Sequence, residues 1–355
     1  MKRIKLLKFL IIPVTFLLFI GCEKDKITAP LSVKTETSAK LLLYLEEEGD
    51  VINNILIPVL PAEDVYNNLN NYLIIDLRDR NDFSIGHILG AKNILNDSLF
   101  TYITTNQTNY SKVVLVSASG QSAAYYSALL RLAGFRNIYY MNFGMASWNI
   151  LFSSVWTDRL NTDPDGSIFT HTDYKKKNYS PLPAINLKSL DQSLKELVHA
   201  RVDSLIKEGF NEDYNSNTTK SAMTFIHWSH INELLYTICV GPMMLYSSSP
   251  FTTNTYHLVG AILYQIPPGP ADFRSVTYLQ TLPSADSIAI YSGTGQESAF
   301  YSAYLRLLGY KARSILFGMN NIDYYMLLRA PEIIPYAFAP SYIMNYPYST
   351  GPGSK

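Results

Sequence analysis

Two short stretches of this chain carry residue types that could do chemistry, and they are nearly the same stretch. Ser117-Ala118-Ser119-Gly120-Gln121-Ser122 follows the aliphatic run Val113 to Val116 and precedes a run of helix formers, Ala123 to Ala133, that stops at Gly134. Ser292-Gly293-Thr294-Gly295-Gln296-Glu297 follows Ser287 to Tyr291 and precedes a second helical run that stops at Gly309. A buried strand, a tight loop of small residues and a helix aim several backbone N–H groups at one point, and the helix dipole adds to their pull on an anion. Each loop therefore predicts a cradle for a small oxyanion, with Ser and Thr hydroxyls as further donors. Glu297 places a negative charge near the rim of the second loop, which predicts weaker anion binding there.

Covalent chemistry would need more than a cradle. A serine nucleophile requires a base within reach and an acid that orients the base. The chain has six histidines, and no Gly-x-Ser-x-Gly elbow surrounds Ser117 or Ser292. His227 and His230 lie three apart on a predicted helix beside Trp228, and the pair reads as a partly buried helix face before it reads as a metal site. Gly293-Thr294-Gly295-Gln296-Glu297-Ser298 superficially matches a dinucleotide fingerprint, yet the next strand, Arg313 to Leu316, runs into Phe317-Gly318 with no acidic residue at its end. Tyr125 and Tyr126 after the first loop, and Phe300 and Tyr301 after the second, either wall the cradles or pack beneath them. No cofactor and no metal site are expected.

The elements that must position the loops follow from the flanking pattern. Leu41 to Leu45 before Glu46-Glu47-Glu48-Gly49 predicts a first helix, and Pro61 to Leu69 a second, with proline at its start and acidic residues in its first turn. Tyr72 to Ile75 predicts a buried strand that runs into Asp76-Leu77-Arg78, and a Gly-rich turn follows at Gly86 to Ala91.

Here the residues carry a resemblance. Leu73-Ile-Ile-Asp-Leu-Arg78, Gly86-His-Ile-Leu-Gly-Ala91, the first loop and Phe143-Gly-Met-Ala-Ser-Trp148 stand in the order and at about the spacing of a rhodanese domain, over roughly residues 40–155. The second half resembles the first at an offset of 170 to 175 residues: Tyr256-His257-Leu-Val-Gly-Ala261, the second loop, then Phe317-Gly318-Met319. That half departs further from the pattern, with apolar Ile238-Cys-Val-Gly-Pro-Met243 and then a Ser-rich insert, Ser247 to Ser249, where the first has Asp76 and Arg78, and no Trp to match Trp148. The resemblance implies an α/β fold of two rhodanese-like domains, each a small parallel sheet flanked by helices, with Asp76, Arg78, His87 and His257 as scaffold. It also implies sulfur transfer through a persulfide on a Cys at the first loop position. Ser117 and Ser292 stand there instead, and a Ser hydroxyl cannot store sulfane sulfur. The expected function is thus a catalytically inactive binding or interaction module with an anion cradle in each half. The alternatives are sulfur transfer or a Ser-dependent hydrolase.

Composition bounds the rest. The chain has 355 residues and only two cysteines, Cys22 and Cys239, so it has neither a disulfide framework nor a Cys-based zinc site. Its formal net charge is zero, which gives nucleic-acid binding no support. Met1 to Lys8 carries four positive charges, and Phe9 to Gly21 is almost unbroken apolar sequence, the pattern of a signal segment. Gly21-Cys22 resembles a bacterial lipobox, with Phe19 where Leu is more usual. That predicts lipidation at Cys22, a membrane partner through the lipid, and location in the cell envelope. Boundaries follow: a signal segment over 1–21, a tether over 22–37, domains over 38–155 and 189–335, a turn- and proline-rich linker over 156–188 between them, and a tail over 336–355.

Overall fold

Short aliphatic runs, each followed by a helix that crosses back over the sheet, build parallel strands. The computed structural model describes residues 37–352 apart from 55, 186–191, 217–218, 243–244, 247–255 and 330. Residues 1–36, on which the expected signal segment, the lipidation at Cys22 and most of the expected tether fall, lie outside the described residues.

The first sheet contains β1 (Val59–Leu60), β2 (Tyr72–Asp76), β3 (Lys92–Asn93), β4 (Lys112–Val116) and β5 (Ile138–Met141), in the order β1-β5-β4-β2-β3, all parallel. A short β6 (Phe169–Thr170) comes next. The later strands are β7 (Ala222–Met223), β8 (Tyr236–Val240), β9 (His257–Leu258), β10 (Ile262–Tyr264), β11 (Ser287–Tyr291) and β12 (Lys311–Ile315). The second sheet runs β7-β12-β11-β8-β10, the same path as the first, and it too is parallel. The fold class is therefore α/β, as expected. β4 and β11 sit centrally, so each delivers its loop at the carboxyl end of the sheet, where parallel folds place their sites.

The helices after the two loops, Gln121–Leu132 and Gln296–Leu307, pack against each other. Every residue of the first is buried, which explains why its sequence lacks a polar stripe. Tyr125, Tyr126, Phe300 and Tyr301 are all in the core, so the aromatic residues pack rather than wall the loops. One apolar cluster runs from Leu41 through both helices to Phe338, and the described residues form a single compact unit.

The segments beyond each sheet cross to the other half. Asn161 donates from its backbone to Asn320 (2.8 Å) and accepts from Tyr324 (2.9 Å), and β6 pairs antiparallel with β9 beside His257. Reciprocally, Met344 and Tyr346 donate to the carbonyls of Ser147 and Trp148, and Ser349 bridges His87. Residues 156–174 and 340–352 are thus packed straps. Apart from β6 and short 3-10 turns at Gly166–Ile168 and Pro340–Tyr342 they are largely irregular, and several of their backbone groups find partners across the molecule. Among the described residues no helix is long and apolar enough to cross a membrane.

Candidate functional site

β2 ends in a buried ion pair. The Arg78 guanidinium donates to the Asp76 carboxylate through Nε and Nη2, the latter at 2.6 Å, and also to the Gly86 carbonyl at 2.6 Å. Asp76 and Arg78, expected as scaffold, therefore tie the strand to the His87 turn. The His87 ring stacks on Phe83 at 3.8 Å, and its Nδ1 lies 2.8 Å from the Phe83 carbonyl oxygen. His257 stacks on Tyr246 at 3.9 Å with Nδ1 2.9 Å from the Leu258 oxygen, and burial pushes its imidazole below its ordinary value. In register, Asp76 lies opposite Val116 as Cys239 lies opposite Tyr291. The ion pair of the first half thus has a thiol in its place in the second. Burial pushes that thiol up to about 12, so it stays protonated and acts as a small apolar group.

The first loop turns at Gly120, whose φ of +86° suits glycine. The Gly120 N–H donates to Ser117 Oγ at 3.0 Å, so the Ser117 hydroxyl shapes the turn. The amide fan of the loop is occupied. Ser119 N donates to Glu212 Oε2 and Ser122 N to Glu212 Oε1, each at 2.7 Å, and Ser122 Oγ donates to the same Oε1 at 2.5 Å. A carboxylate from elsewhere in the chain fills the predicted anion cradle. Trp156 Nε1 donates to the Ser119 carbonyl at 3.1 Å and fixes the outer wall.

The second loop repeats this geometry with another source of charge. Gly295 (φ +77°) donates to Ser292 Oγ at 3.0 Å. Glu297, expected at the rim, turns its carboxylate inward: Oε2 accepts from Ser292 Oγ at 2.8 Å, from Thr294 Oγ1 at 2.7 Å and from Thr294 N at 3.4 Å. Glu297 occupies the position that Ser122 holds in the first loop. Gly293 lies under the Tyr336 ring, where a Cβ would come within 2.6 Å of the Tyr336 Cβ.

The loops are also locked to each other. Gln121 Oε1 accepts from Phe317 N at 2.7 Å, and Gln296 Oε1 accepts from Phe143 N at 3.0 Å. Gln121 Nε2 donates to Ser119 Oγ, while Gln296 Nε2 donates to Asn142 Oδ1. Both Phe residues have positive φ and are followed by a glycine, Gly144 or Gly318, packed onto the opposite side of its loop. Ala118 contributes through its backbone, its carbonyl accepting from Ala146 N at 3.4 Å.

The sequence names Gln121 and Gln296 as loop residues but not the contacts they make across to Phe317 and Phe143, and it does not name Glu212. Nothing in the local sequence marks Glu212, which lies 90 residues from Ser122. No histidine is a hydrogen-bond partner of Ser117 or Ser292 among the described residues, and no group of three or more potential ligands there could hold a metal.

The profile of the rhodanese-like domain matches residues 61–151. A thiosulfate sulfurtransferase GlpE from Shewanella oneidensis is 36% identical over 78 residues, which are 21% of this chain and 74% of that protein. The chain belongs to the rhodanese family. A second GlpE, from Ectopseudomonas mendocina, is 29% identical over 85 residues, 24% of this chain and 77% of its own. Among solved structures, a thiosulfate sulfurtransferase from Pseudomonas aeruginosa covers 79% of this chain and 46% of its own, at 15% identity and a TM-score of 0.26. The two parallel sheets are consistent with two rhodanese-like domains, and the family match falls on the first.

Proposed function

We propose that this protein is a tandem rhodanese-like module that binds rather than transfers sulfur, held at the cell envelope through a lipid on Cys22. The observation that carries the reading is the state of the loops. Each has Ser where the family chemistry needs a thiolate, and each directs its donors at a carboxylate of the chain itself. A persulfide site needs those donors for the anion that forms and leaves during transfer. Cys239 offers no substitute, since it is fully buried with its thiol protonated. The loops keep the form of anion cradles, each holding a carboxylate of the chain itself.

The alternative, the sulfur transfer named for the relatives, makes a separate demand: a sulfur atom able to carry the transferred one. Purified residues 23–355, which lack Cys22, should move no sulfur from thiosulfate to cyanide above the buffer rate. Turnover that persists in Cys239→Ser would overturn the proposal. For location, a fatty-acid probe should label the wild type in cells and leave Cys22→Ala unlabelled. Equal labelling of both would remove the lipid anchor.

A further inference from the structure

The Glu212 contact has a geometry that says more than closure. Two oxygens of one planar group are held by two amides, Ser119 N and Ser122 N, at equal distances of 2.7 Å, with Ser122 Oγ as a third donor. This is bidentate recognition of a carboxylate at the start of a 12-residue helix. The group comes from outside the loop, from the segment after the Leu194–Glu208 helix. That segment is pinned on both sides of Glu212. Phe210 is buried and its N–H donates to Tyr126 Oη at 2.9 Å, while Tyr214 Oη donates to Asn321 Oδ1 at 2.9 Å. Between the anchors, Asn211 and Asp213 are exposed and Glu212 alone reaches inward. The second loop, which also holds a carboxylate on its hydroxyls and amide, repeats the preference.

We infer that the first loop is a carboxylate-binding site whose resident ligand is Glu212, and that Glu212 is a latch an external carboxylate must displace. This rests on the reading of the loops as anion cradles and is independent of whether the protein transfers sulfur. An intramolecular group competes at high effective concentration, so the wild-type site answers weakly to added anions. Removing the Glu212 side chain vacates two amides and a hydroxyl that are already oriented, and a free carboxylate can then take its place.

The test uses acetate as the probe and thermal unfolding as the readout, with chloride at matched ionic strength as the reference. Glu212→Ala should unfold at a lower temperature than wild type. Acetate at about ten times its dissociation constant should then raise its midpoint by about 2–4 °C over chloride. Wild type should show no difference between the salts. Adding Ser122→Ala to Glu212→Ala should reduce the acetate effect, because one of three donors is gone. If Glu212→Ala does not fold, Glu212→Ser, whose side chain is too short to reach the loop amides, takes the same two salts. Equal midpoints in acetate and chloride for the vacated variant would overturn the site and the cradle reading with it. An acetate effect as large in wild type as in Glu212→Ala would keep the cradle and overturn the latch.

Discussion

The first loop receives its carboxylate from Glu212, brought in by a separate segment, whereas the second receives it from Glu297, within its own turn. The two loops are otherwise built alike: a Ser hydroxyl that accepts from the glycine at the turn, and a glutamine that crosses to the other half. The comparison shows what the fold imposes and what sequence may vary. Several N–H groups pointing into one concavity, buried at a helix start, must be paired, because an unpaired buried donor costs about 1–3 kcal/mol. Which residue supplies the oxygen is free, and the two halves have used different ones.

The same contrast runs through the scaffold and yields the largest expected effect. Asp76→Ala leaves the Arg78 charge buried without its partner and should cost about 3–5 kcal/mol in urea unfolding. Cys239→Ala, at the matching register position, should cost only about 1 kcal/mol, since it removes one small apolar group. Similar losses from both would end the claim that the halves are stabilised differently at this position.

A second pair of substitutions tests where the halves are the same. A Cβ at Gly144 would lie 2.3 Å from the Ser117 oxygen and 2.6 Å from Gly120 N; at Gly318 it would lie 2.2 Å from the Ser292 oxygen. Both glycines also have positive φ, so Gly144→Ala and Gly318→Ala should each cost about 3 kcal/mol. A tolerated alanine at either site would show that the loop can relax away from its neighbour.

Smaller effects are expected from the crossed glutamines. Gln121→Ala strands the buried N–H of Phe317 and Gln296→Ala that of Phe143, each at about 1–3 kcal/mol. Calorimetry should show one unfolding transition in both variants, because a common core joins the halves. Two resolved transitions would mean the halves are more independent than the packing indicates.

The smallest effect is a pH dependence carried by His257 in the second half. Burial holds the His257 imidazole below its ordinary value, so the unfolded chain binds a proton that the folded one resists. Stability should therefore fall as pH drops below about 6.5, and His257→Gln should flatten that part of the profile. An unchanged slope would assign the dependence to another group.

Much of this was legible in the chain itself. Val113 to Val116 and the helix after it announced a buried strand and a strand-end loop, and the offset of 175 between Ser117 and Ser292 announced the repeat. Local propensity was enough there because strand, turn and helix signals agreed. The rest depended on contacts between distant segments. Glu212 sits in an ordinary polar stretch, and only the fold brings it to Ser119. The straps at 156–174 and 340–352 carry turn-forming residues that say where helices stop but not what the backbone pairs with. Glu297 was visible, yet whether its carboxylate faced solvent or the loop was decided by the Ser292 and Thr294 hydroxyls.

The claim that Glu212 occupies the place of a reacting anion can be tested by restoring the missing nucleophile. Ser117→Cys, and Ser117→Cys combined with Glu212→Ala, would be incubated with thiosulfate and weighed by intact mass spectrometry. Persulfide formation adds one sulfur atom to the introduced thiol as sulfite leaves. The account predicts that the double variant gains this atom and the single variant, still latched, does not. Equal sulfur loading of both would contradict it.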